Sequence, residues 1–357
     1  MTGEAASLSL DKFLLTQCPS FHKSSTYYPT PYLFNGHLQT GYASMYKEKS
    51  PDVNYERELL QLKDGGQLSL DWTKPLNGTQ DPSQPIAVVL HGLTGGSHES
   101  YVHGVLEKLV QADYRAVVMN ARGCADTEIT TPQLFNGAWT EDLREALAHV
   151  QAKIAPGTPM VAIGFSLGSN ILVKYLGEEK EDTPLHAAIS VANPYDFLSC
   201  NTNLDDGFFS RHVYSRAMSG NLKGLYARHP LMKKHSDIDP AQVMAAKTIR
   251  QYDGACTCKV FGYTTVNNYF RDASSARFIE HVRIPLLCVN ALDDPIATAK
   301  YIPWEEIQIN PYVILATTDY GGHLGWFQNL SAERWINQPL AEFIMAMFKA
   351  KVTTTCE

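Results

Sequence analysis

Six short apolar segments constrain the fold of this 357-residue chain more than any other feature. Each is five or six residues long and rich in Val, Ile, Leu or Ala, and most are separated by stretches with helical periodicity, such as 101–111 and 140–153. Strands that are buried on both faces have this composition. Their alternation with helices predicts an α/β fold, with a mostly parallel sheet and helices on both faces. The six predicted strands are 86–90, 115–120, 160–164, 187–192, 286–291 and 312–317.

One connection between these strands is far longer than a crossover requires. About 90 residues separate the fourth and fifth predicted strands, whereas a helical crossover needs about a dozen. In open α/β sheets, ligands bind at the carboxyl ends of the strands. We therefore predict a helical cap (lid) over residues 197–284, inserted into a core formed by 56–196 and 285–357. Some of its aromatic residues should line a pocket above the sheet: Phe208, Phe209, Tyr214, Tyr226 and Tyr269.

The first 55 residues are rich in Tyr, Pro and Ser and show little periodicity. Their aromatic side chains would be costly to leave in water, so we expect an ordered arm over 1–55 that wraps the core. After the arm, segments 58–62 and 67–72 alternate around a Lys-Asp-Gly-Gly turn, which is typical of a β-hairpin. The aromatic residues of the arm are Tyr27, Tyr28, Tyr32, Phe34 and Tyr42.

Composition and charge exclude several classes of protein. With 44% hydrophobic and 19% charged residues, the chain does not resemble a disordered, collagen-like or coiled-coil protein. A net charge of −7 and the lack of a Lys/Arg cluster argue against a nucleic-acid partner. Seven scattered cysteines do not suggest a disulfide framework. The sequence shows neither a signal peptide nor an apolar stretch of about 18 residues, so we expect a cytoplasmic protein and leave peripheral membrane contact open.

A candidate nucleophile lies in the segment Gly164-Phe-Ser166-Leu-Gly168, which matches the G-x-S-x-G pattern. A predicted strand precedes this segment, and a predicted helix ending at Gly177 follows it. At such a turn a strained backbone exposes the serine hydroxyl, and small neighbours relieve the crowding around it. The alternative is a tight turn with a helix-capping serine. The strand–turn–helix context favours Ser166 as a nucleophile.

A serine nucleophile needs a base, and the base needs a group that orients it. His323 follows the last predicted strand on a glycine-rich loop, where it could reach the serine. Asp293 and Asp294 both follow the fifth predicted strand, and we favour Asp294 as the acid because Pro295 fixes the turn directly after it. Asp293 is then a turn residue or a cap. Asp196, after the preceding strand, is a third candidate.

Attack on a carbonyl also requires hydrogen-bond donors for the developing oxyanion. The segment His91-Gly-Leu-Thr-Gly-Gly96 follows a predicted strand, as oxyanion loops of the H-G type do. The donors that we predict are the backbone N–H groups of Leu93 and Leu167. A phosphate-binding loop is the alternative, but the G-x-x-x-x-G-K-[ST] and G-x-G-x-x-G patterns are both missing. H-E-x-x-H is absent, and Cys256-Thr-Cys258 is a lone close pair with no second pair to complete a zinc site, so we predict neither a metal nor a cofactor.

Taken together, these motifs resemble the α/β-hydrolase superfamily, and within it AB hydrolase family 4. That family includes bacterial hydrolases, mammalian α/β-hydrolase domain lipases and fungal medium-chain ethyl ester synthase/esterases. The resemblance implies hydrolysis of carboxylic esters or acyl transfer, with Ser166, Asp294 and His323 at the positions of a catalytic triad. The matching stretches are 31–40, 91–97, 120–124, 164–170, 193–196, 290–296 and 320–323.

The leading hypothesis is a serine carboxylesterase or lipase that cleaves short- to medium-chain acyl esters through an acyl-enzyme. The main alternative is an alcohol O-acyltransferase (ester synthase) of lipid or secondary metabolism. It keeps the chemistry and changes the acceptor, although none of the twelve histidines has an aspartate five positions later, as the H-x-x-x-x-D acyltransferase signature requires. A catalytically silent fold used for binding is the third hypothesis. The expected partner is a small acyl ester or acyl thioester.

Overall fold

The computed structural model describes residues 9–47, 50–76 and 81–350. Within them, eight strands form one sheet with the order β1-β2-β4-β3-β5-β6-β7-β8. The first two strands form an antiparallel hairpin, β2 also pairs antiparallel with β4, and the remaining pairs are parallel. The predicted α/β-hydrolase fold class is confirmed. The strands are β1 Tyr55–Gln61, β2 Gln67–Thr73, β3 Ile86–Leu90, β4 Arg115–Asn120, β5 Met160–Phe165, β6 Ala187–Val191, β7 Leu286–Ala291 and β8 Val313–Thr318.

Helices cover both faces of the sheet. The helices before β7 are α1 Leu10–Gln17, α2 Gly36–Met45, α3 Ser100–Gln111, α4 Glu141–Ala152, α5 Leu167–Glu179, α6 Phe197–Asp206, α7 Phe208–Ser210, α8 Arg216–Arg228, α9 Pro240–Ala245, α10 Ile249–Ala255, α11 Thr257–Val260 and α12 Val266–Ala273. Those after it are α13 Trp304–Ile309 and α14 Asn337–Lys349. A second, two-stranded sheet joins β9 Phe327–Gln328 to β10 Glu333–Arg334. None of the described helices is both long and apolar enough to cross a membrane.

Strand β3 shows how the sheet divides the core into two layers. All five of its residues are buried, and successive side chains point to opposite faces. Val88 belongs to the apolar cluster that includes α4 and α5, whereas Ala87 and Val89 belong to the cluster that includes α1, α3 and α14. Burial of each such aliphatic side chain contributes roughly 1.5–3 kcal/mol. A uniform apolar run is therefore the expected sequence of a strand covered on both sides.

The turn between β1 and β2 requires a glycine. Gly65 has a φ of +82°, in the left-handed region that side chains with a Cβ disfavour. The backbone N–H of Leu62 donates to the carbonyl of Gly66 at 2.8 Å and closes the turn. The predicted hairpin is present, and it places an antiparallel edge beside the parallel strands.

The N-terminal arm packs on the core through some of its aromatic residues and leaves others in water. Tyr27 stacks on Trp335 with ring centroids 4.9 Å apart, and Tyr42 packs edge-on against Phe327 at 4.8 Å. Leu14 lies in the core cluster on the α14 side of the sheet. The expectation that burial of aromatic rings orders the arm is wrong for three residues, whose rings face solvent: Tyr28 is 74% exposed, Tyr32 50% and Phe34 61%.

Helices α6 to α12 form the long connection from β6 to β7. Their apolar side chains, such as Leu222 and Leu225, cluster with Cys124 and Leu134 from the segment that follows β4. This packing holds the helices above the carboxyl ends of β4 and β5, where the predicted nucleophile lies. The space between them is the cavity described below.

Candidate active site

Ser166 lies at the tight turn between β5 and α5. Its φ of 51° and ψ of −115° place it outside the ordinary regions for a residue with a side chain. Two glycines make the turn possible. A Cβ on Gly164 would lie 2.6 Å from the carbonyl oxygen of Gly168, and one on Gly168 would lie 2.5 Å from the carbonyl oxygen of His91. The G-x-S-x-G spacing therefore reflects close backbone contact on both sides of the serine.

Three predicted site residues form one hydrogen-bonded chain. The Nε2 atom of His323 lies 2.8 Å from Ser166 Oγ, and its Nδ1 atom lies 2.8 Å from Asp294 Oδ2. The other carboxylate oxygen of Asp294 accepts from the backbone N–H groups of Ile296, at 2.8 Å, and Ala297, at 2.9 Å. With Asp294 ionised, His323 carries its proton on Nδ1. Nε2 is then free to accept the hydroxyl proton of Ser166.

The other two acid candidates have different partners. Asp293 Oδ1 accepts from the backbone N–H of Gly322 at 2.8 Å, so it braces the loop that carries His323. Burial, together with the charge of Asp294, raises the pKa of the Asp293 carboxyl. Asp196 caps α6 and accepts from the backbone N–H of Ser199 at 3.0 Å. Neither carboxylate is bonded to the imidazole of His323.

His91 fixes the predicted oxyanion loop. Its Nε2 atom accepts from the backbone N–H of Ala121 at 3.0 Å, so the proton is on Nδ1, which donates to the carbonyl of Gly92 at 2.7 Å. Burial lowers the pKa of His91 to about 4, and the imidazole is neutral at neutral pH. The Gly92 N–H donates to Tyr101 Oη at 2.9 Å. Three hydrogen bonds thus fix the conformation of this loop.

The two residues that carry the predicted oxyanion donors line the cavity beside the serine. A Cβ on Gly92, the residue before Leu93, would lie 3.4 Å from Ser166 Cβ. Leu167 is the first residue of α5, where backbone N–H groups have no partner inside the helix. In the described part of the chain, neither leucine N–H donates a hydrogen bond. Leu93, Ser166 and Leu167 line one cavity.

The sequence motifs did not identify Thr40 as a site residue. It is simply the last residue of the stretch 31–40, which resembles the family. Its Oγ1 accepts from the backbone N–H of His323 at 2.8 Å and donates to the carbonyl of Gly36 at 2.6 Å. A Cβ on Gly36 would lie 1.9 Å from the carbonyl oxygen of Asp293. Helix α2 therefore braces both the histidine loop and the aspartate loop. A contact across 283 positions leaves no local signal that could have revealed it.

We expect Thr40→Val to lower kcat about tenfold, with little change in KM for a short ester. Valine leaves the buried N–H of His323 unpaired, which costs about 1–3 kcal/mol, and movement of the imidazole to relieve this cost disturbs its alignment with Ser166. Steady-state kinetics and urea unfolding measure the two effects. The matched control is Thr73→Val, because Thr73 also accepts from and donates to backbone, at 2.9 and 3.1 Å, on the far hairpin. Equal losses of stability with kcat lowered in neither variant would contradict the positioning role.

A mostly apolar cavity opens beside Ser166 under the helices that follow β6. Its volume of about 110 Å³ compares with the roughly 10–15 Å³ that a single water needs, so it has room for a chain of several atoms. Of the predicted cap aromatics, Tyr269 lines the cavity, whereas Phe208 and Phe209 are exposed. Cap side chains that line it include Met218, Leu222, Leu225, Met232, Ile249 and Phe270.

Comparisons with known proteins agree with this geometry. A family model described as the alpha/beta hydrolase fold matches residues 85–220. Human phospholipase ABHD3 is 35% identical over 95% of this chain and 83% of its own length. The monoacylglycerol lipase of Saccharomyces cerevisiae is 32% identical over 96% of this chain and 85% of its own length. Among solved structures, the esterase PF2001 of Pyrococcus furiosus has a TM-score of 0.53 at 16% identity, over 83% of this chain and 91% of that one.

Proposed function

Because this chain belongs to the α/β-hydrolase family, we propose that it is a serine carboxylesterase or lipase that cleaves short- to medium-chain acyl esters through an acyl-enzyme. The observation that carries the proposal is the hydrogen-bonded chain from Ser166 through His323 to Asp294 at the wall of an apolar cavity. The names of relatives also support it, since these include a lipase and a phospholipase. The substrate is accordingly a small-molecule ester.

The proposed acylation step begins with attack of Ser166 Oγ on the ester carbonyl. His323 Nε2 takes the hydroxyl proton as the Oγ–carbon bond forms, and Asp294 stabilises the resulting imidazolium. The carbonyl electrons move onto oxygen, where the N–H groups of Leu93 and Leu167 each stabilise the charge by roughly 3–4 kcal/mol. When the carbon–oxygen bond of the ester breaks, His323 returns the proton to the leaving alcohol. The acyl group stays on Ser166.

Deacylation repeats these steps with a second nucleophile. Water attacks the acyl-enzyme, His323 takes its proton, and the collapse of the tetrahedral intermediate releases the acid and restores Ser166. An alcohol in place of water would give a new ester, which is the O-acyltransferase alternative. Product analysis with an acyl donor, with and without added ethanol, separates the two reactions. Free acid as the main product in both cases supports hydrolysis, and ethyl ester as the main product with ethanol supports transfer.

We also propose a separate role for each of three parts of the chain: the core, the cap and the N-terminal arm. Within the described residues, 56–196 and 285–350 form the hydrolase core, 197–284 form the cap, and the arm before residue 56 braces the triad loops. The predicted ranges also include 1–8, 48–49, 77–80 and 351–357, which lie outside the described residues. The cap supplies much of the cavity wall, including Leu222 and Phe270, and so has the larger influence on which acyl group fits. The core supplies the reacting groups.

The chain length of the preferred acyl group tests the proposal. Each methylene buried in the cavity contributes up to about 0.8 kcal/mol, which is about fourfold in kcat/KM. For p-nitrophenyl esters, kcat/KM should rise from acetyl to medium-chain acyl groups and level off when the cavity is full. Leu222→Trp narrows the cavity and should move this plateau to shorter chains, whereas Leu330→Trp, on an exposed loop, should not. A profile that is flat or highest for acetate would contradict a medium-chain substrate.

A further inference from the structure

One carboxyl group lies in the wall of this mostly apolar cavity. Asp253 lies on α10, lines the cavity and is only 6% exposed. Its Oδ1 accepts from Thr257 Oγ1 at 2.6 Å, and within the described residues it forms no ion pair. Burial raises the pKa of Asp253 to about 7. A carboxyl with a single hydrogen bond in an apolar wall is costly, and the proposed mechanism does not use it.

A second polar group in the cavity wall lacks a partner. Asn136 follows β4 and is 3% exposed. Its Oδ1 accepts from the backbone N–H of Ala138 at 2.7 Å, which fixes the amide and leaves Nδ2 as the donor. Among the described residues, Nδ2 has no acceptor. A buried donor without an acceptor costs about as much as a lost hydrogen bond, so a ligand atom at this point would be stabilising.

Asp253 and Asn136 line the same cavity as Ser166. Gly137, next to Asn136, donates its backbone N–H to Tyr269 Oη at 3.1 Å. Helix α10, which carries Asp253, packs against α12, which carries Tyr269. A Cβ on Gly137 would lie 3.2 Å from Leu167 Cδ1. The segment that carries Asn136 and Gly137 therefore lies against Leu167, the residue that follows Ser166.

We propose that Asp253 and Asn136 form a hydroxyl-binding subsite, so that the preferred ester carries a hydroxyl group within reach of the cavity. This inference rests on the proposed ester hydrolysis. A hydroxyl donates its proton to Asp253 and accepts from Asn136 Nδ2, which satisfies both groups. An ammonium group has no lone pair for Asn136, and a carbonyl has no proton for the ionised carboxylate of Asp253. The hydroxyl belongs either to the acyl chain or to the alcohol of the ester.

Matched esters test the subsite and distinguish the two sources of the hydroxyl. We compare kcat/KM for ethyl octanoate, for ethyl hydroxyoctanoates with the hydroxyl at increasing distance from the carbonyl, and for monooctanoylglycerol. The native enzyme should prefer at least one hydroxylated ester to ethyl octanoate by about tenfold or more. A preference among the hydroxyoctanoates assigns the hydroxyl to the acyl chain, and a preference for the glycerol ester assigns it to the alcohol. Equal values for all the esters would overturn the subsite.

Variants connect any such preference to the two residues. Asp253→Leu should abolish the preference while keeping or raising kcat/KM for ethyl octanoate. Asp253→Asn keeps the side-chain shape and an acceptor for Thr257, so it guards against a folding defect, and it should reduce the preference several-fold. The matched control is Asp205→Leu, because Asp205 is another cap carboxylate that accepts from a hydroxyl, that of Ser215 at 3.2 Å, and it does not line the cavity. A preference that survives in both Asp253 variants, or is lost only in the control, would overturn the assignment.

The design separates failure of the subsite from failure of the proposed function. Hydrolysis of ethyl octanoate together with labelling by a fluorophosphonate keeps the esterase proposal, whatever happens to the hydroxylated esters. If no ester is cleaved and the probe does not react, both proposals fail. If ethyl octanoate and every hydroxylated ester are cleaved with equal kcat/KM, only the subsite fails.

Discussion

Ser166→Ala should lower kcat for ester hydrolysis by roughly 10⁶-fold, because loss of a triad nucleophile leaves only binding and oxyanion stabilisation. The fold should be unaffected. The hydroxyl of Ser166 bonds to His323, and alanine tolerates the backbone conformation of this turn no worse than serine does. Initial rates on a p-nitrophenyl ester, together with the melting temperature of each protein, measure the two properties separately.

Ser169→Ala is the matched control for this change. Ser169 lies in the first turn of the same helix, and its hydroxyl donates to the carbonyl of Ser166 at 2.5 Å. Removing it loosens the turn but leaves the nucleophile, so kcat should fall far less than in Ser166→Ala. Turnover that persists in Ser166→Ala at a large fraction of the native rate would rule out Ser166 as the nucleophile.

Asp294→Asn should lower kcat by about 10⁴-fold, because an amide no longer selects the tautomer of His323 that can accept from Ser166. Asparagine keeps the shape of the side chain and an acceptor for the N–H groups of Ile296 and Ala297. A large loss of kcat with a small loss of stability is therefore expected. Rates measured beside urea unfolding curves for the same preparations show whether the two losses separate.

Asp293→Asn distinguishes the two adjacent acids. The Asp293 carboxylate accepts from the backbone N–H of Gly322 and does not bond to the imidazole. An asparagine can still accept that bond, so kcat should fall by about tenfold or less. A larger loss of kcat in Asp293→Asn than in Asp294→Asn would show that Asp293, and not Asp294, orients His323.

The sequence was sufficient for the parts of the fold that depend on local patterns. Each of the six predicted apolar strands is present within one residue at either end, because a strand covered on both faces needs a continuous apolar run. The position of Ser166 between β5 and α5 could also be predicted, because the glycine spacing and the change from a strand pattern to a helix pattern are both local features of the sequence. The same strand pattern predicted that Asp294 follows β7 and that His323 follows β8, as the structure shows.

Contacts between distant segments could not be predicted in this way. Thr40 and His323 are joined by a hydrogen bond that depends on how the arm crosses the core, which no periodicity encodes. The exposed rings of Tyr28 and Phe34 contradict an argument from hydrophobicity alone, because surface aromatics are tolerated singly. Asp253 gives no local sign of facing a cavity, since a polar residue within a helix is usually on its solvent side.

The most direct test of the account is to locate the covalent adduct formed with a fluorophosphonate. After labelling of the native enzyme, trypsin should release residues 154–174 as one peptide that contains both Ser166 and Ser169. Tandem mass spectrometry should place the adduct on Ser166, and Ser166→Ala should carry none. An adduct on any other residue, or an active enzyme that forms no adduct at all, would contradict the proposed acyl-enzyme mechanism.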